Sequence, residues 1–215
     1  MIFVSDFDGT MTQRDFYGVV TERHTPPGAM RHWHAYENGE ITHFEALKRI
    51  FAEIRATPKE IEAVLDTMDF DPGAAGAIAD LRRNGWDLIV ASAGCSWYIE
   101  RLFARAGIEA EFHSNPGQFD EGGALRMELP TGSPFLEREH GIDKAAIVRS
   151  AMERDAMVAF AGDGRPDVEP ALLVPPQRRF ARGTLAELLD ERGEPYQPYA
   201  RWSDIVPRLL EGHRA

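Results

Sequence analysis

A three-layer, Rossmann-like α/β fold is what this sequence predicts: a parallel sheet covered by helices on both faces, with a small all-helical insert after its first strand. Three observations carry that expectation. Short apolar runs alternate with segments of helical period, as buried parallel strands joined by crossover helices require. The stretch 15–71 has helical period and no convincing strand pattern. Acidic clusters follow two of the apolar runs, at the carboxyl ends of strands, where open parallel sheets bind ligands.

The first run, Ile2 to Ser5, leads directly into Asp6. Beyond Asp15 the period changes to that of amphipathic helices, with Phe44, Leu47, Ile50, Phe51 and Ile54, then Ile61, Val64, Leu65 and Met68, on apolar faces. Pro58 suits the first turn of the last of these helices, and Asp71-Pro72-Gly73 suits a turn back to the sheet. A helix Ala74 to Asn84 and a strand Asp87 to Ala91 come next, then a helix Ser96 to Ala106 whose Ile99, Leu102, Phe103 and Ala106 share one face. A strand Glu111 to His113 is followed by a hairpin or loose excursion over Asn115 to Glu128, marked by Pro116-Gly117 and Gly122-Gly123. The remaining elements are a helix Lys144 to Arg154, strands Met157 to Ala161 and Arg179 to Ala181, and helices Thr184 to Arg192 and Trp202 to Glu211. The domain organisation expected is a core of residues 1–14 and 72–215 with a helical insert at 15–71.

The 215 residues suffice for one sizeable core, and 43% hydrophobic with 27% charged residues is the balance of a soluble protein. No apolar run approaches the roughly 20 residues that span a bilayer. The first residues have no basic region or cleavage site, and a single cysteine, Cys95, excludes an intrachain disulfide, so a cytoplasmic location is expected. Cys95 reads better as a small buried hydrophobe than as a nucleophile. A net charge of -11 argues against nucleic acid and anionic membrane as partners. A phosphate dianion would need a local positive site to bind so acidic a chain. A monomer or homodimer is expected.

Val4-Ser5-Asp6-Phe7-Asp8-Gly9-Thr10 ends a strand in two carboxylates followed by glycine. Charges this close repel by about a kcal/mol or more at intermediate dielectric, and a cation beside them resolves the repulsion. Ala161-Gly162-Asp163-Gly164-Arg165-Pro166-Asp167 repeats the pattern after another strand, and such oxygen donors suit magnesium. Ser92, with Ala93 and Gly94, ends a strand and opens a helix, either as an anion cradle or as a helix cap. Lys144 begins a helix, where the dipole disfavours a cation, so a partner is expected for it.

These four pieces, in this order, resemble the haloacid dehalogenase superfamily: DFDGT at Asp6 to Thr10, strand-end Ser92, Lys144, and GDGRPD at Gly162 to Asp167. The resemblance implies a magnesium-dependent phosphatase acting on a small phosphorylated metabolite. In it Asp6 is the nucleophile that forms an aspartyl-phosphate, and Asp8 the acid that protonates the leaving alkoxide and then activates water. Magnesium would be held by Asp6, the Asp8 backbone carbonyl and Asp163, with Asp167 a ligand or an outer partner. Ser92, Ala93 and Lys144 would bind the phosphoryl group. The insert resembles the helical cap of the phosphoserine phosphatase type, which closes over the core and selects substrate. Within that group the chain looks most like the methionine-salvage phosphatase of 2-hydroxy-3-keto-5-methylthiopentenyl-1-phosphate. Lys48-Arg49-Ile50-Phe51, Ser92-Ala93-Gly94, Asn115 and Pro195-Tyr196-Gln197 carry that likeness.

Phosphoserine phosphatases bind the amino and carboxylate groups of serine with a glutamate and an arginine, so Asp15 and Arg49 are candidate substrate contacts. Asp15 is one methylene shorter than that glutamate, which counts against serine. Phosphoserine and sugar-phosphate phosphatases, and a phosphomutase, are the alternatives among enzymes. A dehalogenase does not need Asp8. From another class, a non-catalytic acidic metal-binding regulatory domain would bind magnesium without turnover. His24, His32, His34 and His43 lack the further ligands of a tetrahedral zinc set and read as solvated or packed. Phe16, Tyr17, Trp33 and Tyr36 suit either an apolar pocket or packing among the helices of the insert.

Overall fold

The computed structural model describes residues 1–211. Strand β1 (Ile2–Ser5) is followed by α1 (Phe16–Arg23), a 3₁₀ turn at Pro27–Met30, α2 (Arg31–Glu37), α3 (His43–Ala52) and α4 (Pro58–Thr67). The chain returns through α5 (Ala74–Arg83), β2 (Asp87–Cys95), α6 (Ser96–Ala106) and β3 (Glu111–Asn115). Two small antiparallel pairs come next, β4 (Gly117–Phe119) with β5 (Leu125–Met127), and β6 (Leu136–Glu137) with β7 (Gly141–Ile142). Then come α7 (Lys144–Arg154), β8 (Val158–Gly162), α8 (Val168–Leu173), β9 (Arg179–Ala181), α9 (Gly183–Glu191), β10 (Gln197–Pro198) and α10 (Ile205–Glu211).

Six strands form one parallel sheet in the order β10-β9-β8-β1-β2-β3, the α/β class the sequence predicts. Side chains alternate across β1. Ile2 and Val4 join Ile89, Phe160, Ile147 and Leu185 on one face, whereas Phe3 joins Trp86, Trp202 and Ile205 on the other. Phe3 stacks on Trp202 at 5.6 Å between ring centroids, and the indole N–H donates to Ser5 Oγ at 2.9 Å, so this large buried ring keeps a polar partner. The register pairs Val4 with both Ile89 and Phe160, which brings the carboxyl ends of β1, β2 and β8 to one edge. Asp6 and Asp163 follow from that edge directly.

Residues 16–67 supply four α-helices, and Thr12 and Phe70 form an isolated antiparallel bridge where the chain leaves and re-enters the sheet. Thr57 and Glu60 make a reciprocal capping box on α4, with Pro58 in its first turn. Such a cap is worth about 1 kcal/mol. Among the described residues, no helix is long and apolar enough to cross a membrane.

Ser96–Ala106, Lys144–Arg154 and Arg179–Ala181 occupy the spans read from sequence. The end of β2 does not. It runs on to Cys95, with a shift in its pairing to β3 between Ala91 and Cys95, so Ser92 lies in the strand and α6 begins only at Ser96. Ser92 therefore does not open a helix, either as a cap or at its first turn, and its backbone is that of a strand end. Helix α8 and the strands β6, β7 and β10 were not anticipated, because two-residue strands carry no period and Pro170 interrupts the helical pattern of α8.

Candidate active site

Asp6, at the end of β1, and Lys144, at the start of α7, meet at 2.6 Å from Nζ to Oδ1. The same ammonium donates to Asp167 Oδ1 at 2.6 Å. Both are buried charges, and a buried cation is stable only when paired in this way. The other oxygen of Asp167 accepts the backbone N–H of Asp163 at 3.1 Å and of Gly164 at 3.0 Å, which fixes the turn carrying Asp163. Thr10 Oγ1 lies 3.2 Å from Asp6 Oδ2 and 3.3 Å from Asp163 Oδ1. Gly9 has φ +68°, and a Cβ there would lie 2.1 Å from Asp163 Oδ2, so only glycine lets the two loops approach. Arg182 holds the first loop by donating to the carbonyls of Gly9 and Thr12.

Burial raises the carboxyls of Asp6, Asp8, Asp15 and Asp163. Asp6 is pushed up to about 6 by burial and the Asp167 charge, against the pull of Lys144. Asp163 is pushed up to about 9 by burial and then by Asp6 and Asp167. Burial and the Asp15 charge push Asp8 up to about 7. For Lys144 burial works against the charge, but Asp167 and Asp6 outweigh it and hold the ammonium above its ordinary value. Asp6, Asp163 and Asp167 each offer an oxygen within 4.8 Å of the others. Hard oxygen donors in mutual repulsion fit a divalent cation of the magnesium type.

Asp8 stands opposite. Its Oδ1 accepts the backbone N–H of Phe16 at 3.0 Å and its Oδ2 the Tyr98 hydroxyl at 2.6 Å, while Ser92 Oγ lies 3.4 Å away. Ser92 Oγ also accepts the Gly94 N–H at 3.0 Å. Asp6, Asp8, Ser92, Ala93, Lys144, Asp163 and Asp167 all line one cavity of about 130 Å³. Its opposite wall comes from the helical segment: Asp15, Tyr17, Trp33, His43, Leu47 and Phe51.

Of the two substrate contacts read from sequence, the structure brings in one. Asp15 lines the cavity, but Arg49 sits on the exposed side of α3, 3.4 Å from Glu45 one turn back, and is absent from the cavity wall. The apolar face of α3, with Leu47 and Phe51, turns inward and carries Arg49 outward. Tyr17 and Trp33 stack at 4.5 Å on the cavity wall, whereas Phe16 is buried against Tyr98, also at 4.5 Å. His32 and His34 pair with Glu53 and Glu37. Cys95 is buried, and burial pushes its thiol up to about 12, which disqualifies it as a nucleophile. Thr10, Tyr98, His43 and Arg182 were not singled out for the site. Thr10 stood inside the DFDGT motif, and Tyr98 stood in the first turn of the helix Ser96 to Ala106, but nothing local tells which carboxylate a hydroxyl reaches.

The sequence model of the haloacid dehalogenase-like hydrolases matches residues 3–171. A relative from Exiguobacterium sibiricum, named 2-hydroxy-3-keto-5-methylthiopentenyl-1-phosphate phosphatase, is 24% identical over 213 residues, covering 95% of this chain and 94% of its own. Among solved structures, a HAD family hydrolase from Salmonella enterica serovar Typhi superposes with a TM-score of 0.70 at 17% identity, over 98% of this chain and 71% of that one. A substrate-bound phosphoserine phosphatase superposes at 0.65 with 14% identity, over 96% of each chain. At these identities the structural likeness speaks for the fold.

Proposed function

This chain belongs to the haloacid dehalogenase-like hydrolases and is a phosphatase, and from that premise we propose that it hydrolyses a small phosphate monoester through an aspartyl-phosphate on Asp6, with magnesium. The observation that carries the reading is the convergence of buried Asp6, Lys144 and Asp167 with half-buried Asp163 at one sheet edge, with Asp8 lining the same cavity.

Asp6 attacks phosphorus, and the carboxylate O–P bond forms as the ester P–O bond breaks. The departing alkoxide takes a proton from Asp8 and leaves as the alcohol. Asp8, now a carboxylate, takes a proton from the water that attacks phosphorus, so phosphate leaves and Asp6 is regenerated. Lys144 and Ser92 face the phosphoryl oxygens, where the fixed ammonium offsets their charge without reorganisation. Asp6, Asp163 and the Asp8 backbone carbonyl would hold magnesium, which supplies further charge neutralisation at the phosphoryl group. Asp167, with both oxygens engaged by Lys144 and backbone N–H groups, acts by orienting Lys144.

We assign residues 15–71 the role of a cap and propose an uncharged, partly apolar leaving group. Tyr17, Trp33, Leu47 and Phe51 make up most of the wall that faces it, with Asp15 and His43 beside them, and Arg49 is not there to hold a carboxylate. The enol phosphate named for the Exiguobacterium relative fits this description, and phosphoserine does not. A cytoplasmic location is consistent with the free thiol of buried Cys95. The test is phosphate release, with and without magnesium, from that enol phosphate, phosphoserine, sugar phosphates and phosphoglycolate. Magnesium-dependent release from the enol phosphate supports the assignment. Preference for phosphoserine overturns the substrate, and no hydrolysis of any ester overturns the mechanism.

A further inference from the structure

We propose that Tyr98 is a positioning residue for Asp8, its hydroxyl aiming the carboxyl that exchanges a proton with the leaving group; this rests on the acid role given to Asp8 above.

The contact has a defined direction when Asp8 is ionised. Tyr98 Oη accepts the backbone N–H of Cys95 at 3.1 Å, so its own proton is directed to Asp8 Oδ2 at 2.6 Å. Phe16 N–H holds the other Asp8 oxygen at 3.0 Å from the opposite side. The phenol is held in turn, because Phe16 stacks on it at 4.5 Å with an 18° interplanar angle. Position 94 must be glycine for this to exist: a Cβ there would lie 1.7 Å from the Tyr98 hydroxyl and 2.7 Å from Asp8 Oδ2. Ser92 Oγ, at 3.4 Å, is the only other side-chain donor near that oxygen among the described residues, and it is the long one.

Each oxygen of Asp8 is thus held by its own donor. Two donors from α6 and α1 place the carboxyl, and α1 opens the helical insert while α6 follows β2 of the sheet. A proton donor must sit within hydrogen-bond reach of the oxygen it protonates, and small misplacements cost large factors in rate. Tyr98 touches neither phosphorus nor the departing oxygen in this role; it acts through Asp8.

A structural role and a positioning role separate by leaving group. An alkyl phosphate expels a basic alkoxide and needs the proton, whereas 4-nitrophenyl phosphate expels a weakly basic phenolate and needs it little. The full chain carrying Tyr98→Phe keeps the Phe16 stack and loses the hydroxyl, and with it the bond to Asp8 and the acceptor of the Cys95 N–H. We measure kcat/KM with magnesium on an alkyl phosphate and on 4-nitrophenyl phosphate, with thermal unfolding alongside, for wild type, Y98F, F16L, G94A, D8N and D6N. Asp8's acid step is worth on the order of 10²–10⁴-fold, so mispositioning it should cost roughly 10- to 100-fold on the alkyl ester. The expected loss on the nitrophenyl ester is at least about tenfold smaller, the same pattern appears in G94A, and Y98F unfolds within a few degrees of wild type. Equal losses on both esters, or none, overturn the proposal. If Y98F does not fold, Phe16→Leu, which loosens the phenol while keeping the backbone N–H on Asp8 and adding no atom beside that carboxyl, decides by the same ratio. If D8N shows the leaving-group pattern and Y98F does not, the mechanism stands and the role of Tyr98 falls; activity retained in D6N sinks the mechanism itself.

Discussion

The Lys144 ammonium and the Asp6 carboxylate meet at 2.6 Å with side chains only 5% and 6% exposed. Removing one partner of a buried pair leaves the other charge without compensation, at a cost of about 3–5 kcal/mol. Lys144→Ala is therefore expected to unfold at lower denaturant concentration and to lose phosphatase activity. Lys144→Met restores most of the volume but not the charge, so it is expected to remain destabilised and inactive, which separates lost charge from lost packing. Chemical denaturation of the three proteins checks this, and a Lys144→Ala as stable as wild type would contradict the burial argument.

Asp6→Asn replaces the attacking oxygen anion by a neutral amide of nearly the same shape. Its carbonyl oxygen still accepts from Lys144, so the fold is expected to persist while phosphate release falls to background. Circular dichroism with a phosphate assay checks both halves. Full activity in this variant would remove Asp6 as nucleophile.

Magnesium binding should appear as stability as well as activity. A ligand present at 100 times its Kd stabilises the folded state by about 2.7 kcal/mol. Adding magnesium should raise the melting temperature of wild type, and Asp163→Asn, which removes one oxygen of the cluster within 4.8 Å, should shift that response to higher magnesium. An equal response in both proteins would place the ion elsewhere.

The elements that sequence placed well owe their form to local pattern. Ser96–Ala106 has its apolar face in its own eleven residues, and β1 has its apolar run in four, all of them buried. The approach of Asp6 to Asp163 was also legible, because parallel strands bring their carboxyl ends to one edge. What was not legible depends on long-range fit. Tyr98 and Asp8 are 90 residues apart, and their contact needs the extended end of β2, a bare Cα at Gly94 and the stacked Phe16 together. Arg49 failed for a similar reason: helical period identifies a polar face, but whether the cavity lies on that side depends on how α3 docks.

Arg49→Ala is consequently expected to change kcat/KM less than about twofold, since its ion pair with Glu45 is exposed and such pairs contribute at most about 1 kcal/mol. Trp33→Ala should instead raise KM for a substrate with an apolar leaving group, because it removes the ring stacked with Tyr17 on the cavity wall. Steady-state kinetics of the pair checks this, and the reverse order would return the carboxylate-binding role to Arg49.

His43 makes acid pH a test of the cavity wall. Burial, then the charges of His140 and Lys144, lowers its pKa from 6.5 to about 3. Its Nδ1 is buried without a hydrogen-bond partner, and Trp33, Tyr36 and His140 pack against the ring. Glu139 is the nearby acid, but it accepts the His43 backbone N–H at 3.2 Å. Between these two pKa values the unfolded chain binds the proton and the folded chain does not, so unfolding takes up a proton and stability falls as pH drops. The slope from this group is at most about 1.4 kcal/mol per pH unit. His43→Gln removes the titration, so the difference in unfolding free energy between wild type and variant should move toward the variant from pH 6.5 down to pH 4 and stay flat above pH 7.5. Urea unfolding of both proteins across that range measures it, and parallel pH profiles would mean that His43 accepts its proton in the folded state.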